Sequence, residues 1–425
     1  MRNARLSIPL PVALATVLLG ASALYAQVIH TFNGKNGSQP HGNVIFDATG
    51  NLYGTTSRGG NYDYGTVFEM SPGTDGKWTE KAIHSFNNNG KSGYYPMAGL
   101  IFDTAGNLYG TTFSGGAYGG GTVFELSPQT GGGWVARALH SFEGNGTDGV
   151  DPYGSLIFDG AGNLYGTTAG GGVTNHGIVF ELSPGNAGWN ETVLYSFGYI
   201  PDGQEPQAGL VFDSAGNLYG TTIDGGGGRC ISGHQDIGCG TIFELSPQVG
   251  GGWTERVLHN FLSDAHDGNF PVCTLIFDAS GNLYGTTSEG GTYNHGTVFE
   301  LLPGADGTWS ERIINVFGFY EENGADPQAG LVFGPNGNLY GTTLDGSAYG
   351  GGMVFRLIPQ PDGGWMELPV ENFGLGSHPA ALDGTVVFDS AGDIYGTTIL
   401  GGGYGDGVVY ELVPPPDGDT ADSMH

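Results

Sequence analysis

The sequence predicts an all-β chain folded as a seven-bladed β-propeller, four strands to a blade, with the ring closed by the N-terminal strand. Three observations predict it. The motif Tyr-Gly-Thr-Thr recurs seven times, its glycine falling at Gly54, Gly110, Gly166, Gly220, Gly285, Gly341 and Gly396. Five of the six gaps are 54 to 56 residues and the sixth is 65, a period that marks a repeat array. Each unit holds four short β-branched or aromatic segments bounded by glycine, proline or asparagine, the pattern of strands. The last unit lacks its fourth segment, and the N-terminal region has one to spare.

The chain opens with Arg2 and Arg5, a short apolar core from Ile8 to Leu19, and small residues at Ala21, Ala23 and Ala26. That order reads as a secretory signal over residues 1–26. It predicts a secreted, extracytoplasmic protein with no membrane span once the signal is removed. Residues 27–413 form the array, and 414–425 a short acidic tail.

Glycine makes up 83 of 425 residues, yet 12% are aromatic and no Gly-X-Y period exists. Collagen is excluded, and so is a disordered glycine-rich chain, which lacks large side chains to bury. Acids outnumber bases 42 to 12, giving a formal charge of −30. Such a field repels phosphate backbones, so nucleic acid is not expected as a partner.

Within a unit the first segment is apolar and ends in aspartate, as in Leu100-Ile101-Phe102-Asp103. Lacking alternation, it fits an innermost strand buried on both faces. An Asp-x-x-Gly-Asn turn follows (Asp213 to Asn217), where aspartate bonds the backbone and glycine takes the left-handed position. The second segment is Asn-Leu-Tyr-Gly-Thr-Thr, the third Gly-Thr-Val-Phe-Glu-Leu. The fourth runs from a tryptophan to a phenylalanine eight residues on, as from Trp253 to Phe261. Only six such tryptophans serve seven units. Val28-Ile29-His30-Thr31-Phe32 matches Ala82-Ile83-His84-Ser85-Phe86, so the N-terminal strand completes the last blade and hides an otherwise open edge.

These units resemble the tandem repeat of the Gloeobacter/Verrucomicrobia family of exported bacterial proteins, over nearly all of residues 28–413. The resemblance implies export and a propeller-like array, and carries no established activity.

The long gap holds Cys230 and Cys239 in one insertion, while Cys273 stands apart before an inner strand. Export allows a Cys230–Cys239 disulfide with Cys273 as a buried thiol. The residue eight beyond the central glycine is tyrosine in five units: Tyr62, Tyr118, Tyr293, Tyr349 and Tyr404. On glycine-rich loops these can stack on sugar faces, or fold back over their own loops. The loops entering the next blade are acidic, with Asp148 and Asp151, Asp202 and Glu205, Asp264 and Asp267, and Glu321, Glu322 and Asp326. Paired carboxylates there serve acid–base chemistry on a glycosidic bond, or Ca²⁺ through oxygen ligands, or only solvation. His30, His84, His140 and His259 recur in the fourth strand and read as structural. His176 and His295 sit in Asn-His-Gly loops, and two ligands are too few for zinc. Blades three to five, where these features break the repeat, are the expected binding sector.

The expectation is an exported monomer acting as a non-enzymatic binding or scaffold protein, recognising a glycan or a cell-surface partner, with no cofactor. The alternative is a carbohydrate-active hydrolase or lyase using loop carboxylates.

Overall fold

In the computed structural model, residues 26–232, 235–318, 323–374 and 378–413 are described. The expected signal and tail, and Glu321 and Glu322, lie outside them. The described chain is all β, folded into seven antiparallel four-stranded sheets arranged as a propeller. In the first blade, Ile45–Phe46 pairs with Leu52–Thr56, then Thr66–Pro72, then Trp78–Ser85. The last blade takes its fourth strand from the other end of the chain. Gln27–Thr31 lies antiparallel to Val408–Leu412, with Val28 opposite Tyr410 and Thr31 opposite Val408.

The repeated motif has a physical reason at each position. Leu52 and Tyr53 are buried between blades, and the Tyr53 ring meets Phe102 and Trp134 of the next blade edge-on, centroids 5.2 and 6.0 Å away. Gly54 lies opposite Phe68, where a Cβ would fall 2.6 Å from the ring, so only glycine leaves the phenylalanine its place. Thr55 Oγ1 donates to the Ala98 carbonyl of the next blade at 2.8 Å, and Thr56 Oγ1 pairs with Thr66 Oγ1 at 2.8 Å within its own blade.

The core lies between blades, not within them. One cluster joins Phe32, Val44, Leu52, Phe68, Met70, Tyr395 and Val409, drawn from both ends of the chain. The hairpin turns behave as their sequence predicts: Asp103 Oδ1 accepts from the Ala105 and Asn107 N–H groups at 2.9 Å. The first strand differs from expectation. Its ladder spans only two residues and these are half-buried, whereas Leu52–Thr56 is buried along its whole length. The second strand has blade neighbours over both faces, while the first approaches the axis and keeps only its entry residues, such as Val44 and Leu100, enclosed.

Around the axis the entry segments abut. A Cβ on Gly42 would fall 2.4 Å from the Gly99 nitrogen, and one on Gly154 2.5 Å from the Ala208 oxygen. Glycine there lets neighbouring blades approach backbone to backbone. No helix among the described residues is long and apolar enough to cross a membrane.

Candidate functional site

One face of the ring carries both the loops between second and third strands and the loops that pass from one blade to the next. They are sewn together by short two-stranded ladders, such as Gly93–Tyr94 with Ser114–Gly115 and Gly203–Gln204 with Asp224–Gly225. Next to each ladder sits a non-glycine residue with φ between +55° and +63°: Gln39, Tyr95, Asp151, Glu205, Phe270, Asp326 and Ala381. Each donates its N–H to the preceding blade and accepts at its carbonyl from its own; Glu205 N–H bonds the His176 oxygen, and Ile223 N–H bonds the Glu205 oxygen. The left-handed backbone costs about 1–3 kcal/mol per residue and persists because both polar groups are paired.

The backbone repeats seven times here and the side chains do not. Asp151, Glu205 and Asp326 occupy three of the positions, and Asp224, Glu289 and Asp345 lie on the facing ladder strands. Burial, with Glu205 nearby, lifts Asp224 to about 7. Burial raises Asp326 to about 6 against the hydrogen bond from Gln328, with Asp345, Glu289 and Asp383 adding to the rise. One turn inward, His41 Nδ1 lies 2.7 Å from Asp383 Oδ2. Tyr153 is pushed up to about 12 by burial and by Asp383. Tyr153 belongs to the third blade and Asp383 to the seventh, so this influence crosses the central channel. On the opposite side Arg58 stacks over Tyr95, 4.5 Å from the ring centre. The mouth is thus acidic along one arc and carries a capped cation on the other.

The five loop tyrosines point outward. Tyr62, Tyr118, Tyr293, Tyr349 and Tyr404 are 52 to 72% exposed, and no ring contact joins any two of them. Tyr118 is held near Glu143, which raises its hydroxyl pKa. The third blade has Thr174 at this position, and Tyr199 stands exposed instead, edge-on to His176 at 5.1 Å. His295 lines a cleft of about 410 Å³ with Glu289, Asn323, Asp326 and Asp345. His176 and His295 therefore serve separate blade junctions.

Asp148, Asp202 and Asp267 turn inward. Asp148 accepts from Glu143 and Gly149 N–H at 2.7 and 2.6 Å, Asp202 from Gly198 and Gly203, and Asp267 from Leu262 and Gly268. Their Asp-Gly geometry orders the loop that carries them. Two of them also face groups whose importance the sequence reading missed. His140, Asp148 and Glu191 converge between the second and third blades, and His259, Asp267 and Glu311 between the fourth and fifth. His140 and His259, read from the repeat as structural, thus each face two carboxylates. Burial drives both glutamates above the ordinary carboxylate range, and the facing aspartate adds to the rise. A signal existed: each His lies eight residues before an Asp-Gly, and a Trp-x-Glu follows in the next repeat. The pairing crosses a blade boundary, so no spacing within one repeat reveals it.

In the insertion, Cys230 and Cys239 form a disulfide with Cα atoms 5.0 Å apart, and Cys273 is a buried free thiol.

The family model of the Gloeobacter/Verrucomicrobia repeat matches residues 19–234 and 230–423. No curated protein matches the chain. Among solved structures, the extracellular domain of a candidate hybrid two-component system from B. thetaiotaomicron is similar at a TM-score of 0.54 and 12% identity, over 91% of this chain and 40% of that one. A candidate 6-phosphogluconolactonase from Bacteroides uniformis is similar at a TM-score of 0.50 and 14% identity, over 77% of this chain and 83% of that one. At such identities the likeness is one of fold.

Proposed function

The chain belongs to the Gloeobacter/Verrucomicrobia repeat family, and from that footing we propose that it is an exported, non-enzymatic binding propeller that holds a glycan on its loop face. The observation that carries this reading is the outward set of loop tyrosines, from Tyr62 round to Tyr404. An exposed tyrosine presents an apolar ring face beside a wet hydroxyl, and a sugar offers an apolar face and hydroxyls to match it. The rings sit on loops fixed by backbone ladders, so little ordering is needed on binding. Single tyrosine–sugar contacts are weak. A ring of them suits a repetitive polysaccharide, whose second contact is made at the effective concentration set by the first.

Carboxylates at the channel mouth accept hydrogen bonds from hydroxyls along the same face. A second reading has its own support: Asp224 and Asp326 hold their protons toward neutrality, as a general acid in a hydrolase or lyase does. A glycan array read with and without Ca²⁺, followed by product analysis on every glycan captured, separates the two. Capture without cleavage supports the binding reading, and shortened or unsaturated products support the enzymatic one. A blank array removes both in favour of a cell-surface protein partner.

A further inference from the structure

We propose that the junctions of blades two and three and of blades four and five each hold one divalent transition-metal ion. His140, Asp148 and Glu191 supply the ligands at one, and His259, Asp267 and Glu311 at the other. In each triad one imidazole nitrogen and two carboxylate oxygens lie within 4.8 Å of one another. His140 Nε2 is 3.4 Å from Asp148 Oδ2 and 3.8 Å from Glu191 Oε2; His259 Nε2 is 3.4 Å from Asp267 Oδ2 and 3.7 Å from Glu311 Oε2. These are too long for good hydrogen bonds. They approach the edge of a tetrahedron around zinc, about 3.4 Å for bonds of about 2.1 Å.

The same place in other blades shows what fills the gap when no ion is needed. Between the seventh and first blades Asn36 Nδ2 bridges His30 at 3.0 Å and Glu80 at 3.1 Å. Between the third and fourth, the Tyr195 hydroxyl donates to Asp202 at 2.9 Å. Between the fifth and sixth, Asn315 Nδ2 donates to Glu367 at 2.9 Å. At the two triads no amide or hydroxyl bridges the gap, and an imidazole faces two carboxylates across it. Glu191 Oε1, Glu311 Oε1 and His259 Nε2 are buried there without a hydrogen bond, as are Glu80 Oε1, Glu255 Oε1 and His84 Nε2 at other junctions, so what sets the two triads apart is the convergence of an imidazole and two carboxylates. Unpaired buried acceptors of this kind are costly, and a cation satisfies all three ligands together.

The supporting geometry is that of an oriented site. Loop N–H groups fix each aspartate, as second-sphere donors fix metal-bound carboxylates. The first triad opens onto a cleft of about 450 Å³ lined also by Asn145, Thr147 and Ser196. That leaves a fourth position for water or an incoming oxygen ligand. An imidazole with two carboxylates suits Zn²⁺ or Mn²⁺ over Ca²⁺, which takes oxygen alone.

The test is equilibrium dialysis of the chelator-stripped protein against Zn²⁺, with affinity read by competition against a chromogenic chelator. Two equivalents per chain are expected, falling to one in Glu191→Gln and to none in the Glu191→Gln, Glu311→Gln double variant. His140→Gln with His259→Gln should also abolish binding. Should either double variant fail to fold, wild-type stoichiometry and loss of zinc from each folded single variant decide the matter. No zinc retained by the wild type, stoichiometry indifferent to these substitutions, or Ca²⁺ bound in preference to Zn²⁺ overturns the assignment.

Discussion

Thr397 Oγ1 donates to the carbonyl oxygen of Gly42 at 3.3 Å, a bond between residues 355 positions apart that joins the last blade to the first. It is the seventh member of a set. Thr55 bonds Ala98, Thr111 bonds Gly154, Thr167 bonds Ala208, Thr221 bonds Cys273, Thr286 bonds Ala329 and Thr342 bonds Gly384. The first threonine of each Tyr-Gly-Thr-Thr is thus a staple from one blade to the next. The ring closes with the same staple it uses everywhere else, reinforced by Tyr395 against Phe46 and Trp78.

Replacing Thr397 by valine keeps the shape and removes the donor, leaving a buried carbonyl at Gly42 unpaired. A loss of about 1–3 kcal/mol is expected in urea unfolding. Deleting residues 27–33 should do more: it bares the Val408–Leu412 edge, and size-exclusion chromatography should show aggregates. A monomeric deletion variant with wild-type stability would remove the closing role of the N-terminal strand.

Gly220 faces the ring of Phe243, and a Cβ added there would fall 2.6 Å from it. Gly220→Ala should cost about 1–3 kcal/mol through overpacking. Phe243→Leu in the same chain should recover part of that loss, because the methyl gains space. If the two losses simply add, the pair is not what fixes the glycine.

Much of this was legible because each reason repeats. Gly54 opposite Phe68, the threonine staples and the Asp103 hairpin are all written seven or nearly seven times, so the sequence displays them as period and spacing. Closure was legible from Val28–Phe32, a fourth strand found at the wrong end. The site was less so. His140 meets Glu191, and Asp326 feels Asp345, only after neighbouring blades are set side by side. Asp383 acts on Tyr153 only through its charge, from the seventh blade to the third. The burial of Leu52–Thr56 over Ile45–Phe46 depends on which strand has blades on both sides, and apolar content alone ranked them the other way.

Cys230 and Cys239 are buried at the base of the insertion, in the same core cluster as Cys273, whose Sγ accepts from the Thr286 N–H at 3.1 Å. Labelling the denatured, unreduced protein with iodoacetamide should modify one cysteine, and three after reduction. Reduction should loosen the insertion while leaving the seven sheets intact, since the bridge spans nine residues of one loop. Three labelled cysteines before reduction would show that the bridge does not form.

Stability should fall as pH rises from about 4 to about 7. Burial, with Asp202 adding, lifts Glu255 from 4.5 to about 7, and burial with Glu205 lifts Asp224 from 3.8 to about 7. Below the ordinary values both groups are protonated whether folded or not, and their contribution is zero. Between the ordinary and raised values only the unfolded chain ionises, so the folded state binds more protons and loses ground as pH climbs; above 7 the loss levels off. Asp103 and Asp213 act at the other end. Burial raises them, yet hydrogen bonds from Asn107 and Asn217 hold both below 3.8, and that stability is lost as pH falls further. Thermal melts should peak in mild acid, and Glu255→Gln should flatten the limb between pH 4.5 and 7. An unchanged limb in that variant would remove Glu255 as a cause.

Tyr118 and Tyr293 offer the sharpest test of the loop face. Both are more than half exposed, and neither belongs to a core cluster. Truncation to alanine should therefore leave the melting temperature within about 1 °C of the wild type, as surface changes remote from packing do. Binding should respond quite differently. With several rings sharing one polysaccharide, loss of a single tyrosine should weaken capture several-fold, and loss of both by more than the product of the two, since avidity needs contacts in step. Monosaccharides should compete only at high concentration, because each ring alone holds little. Tyr293 lies 3.3 Å from where a Cβ on Gly318 would stand, so it also has a strut to offer its neighbouring loop. If Tyr293→Ala lowers the melting temperature by several degrees while Tyr118→Ala leaves polysaccharide capture intact, the rings brace the loops and the glycan reading is lost.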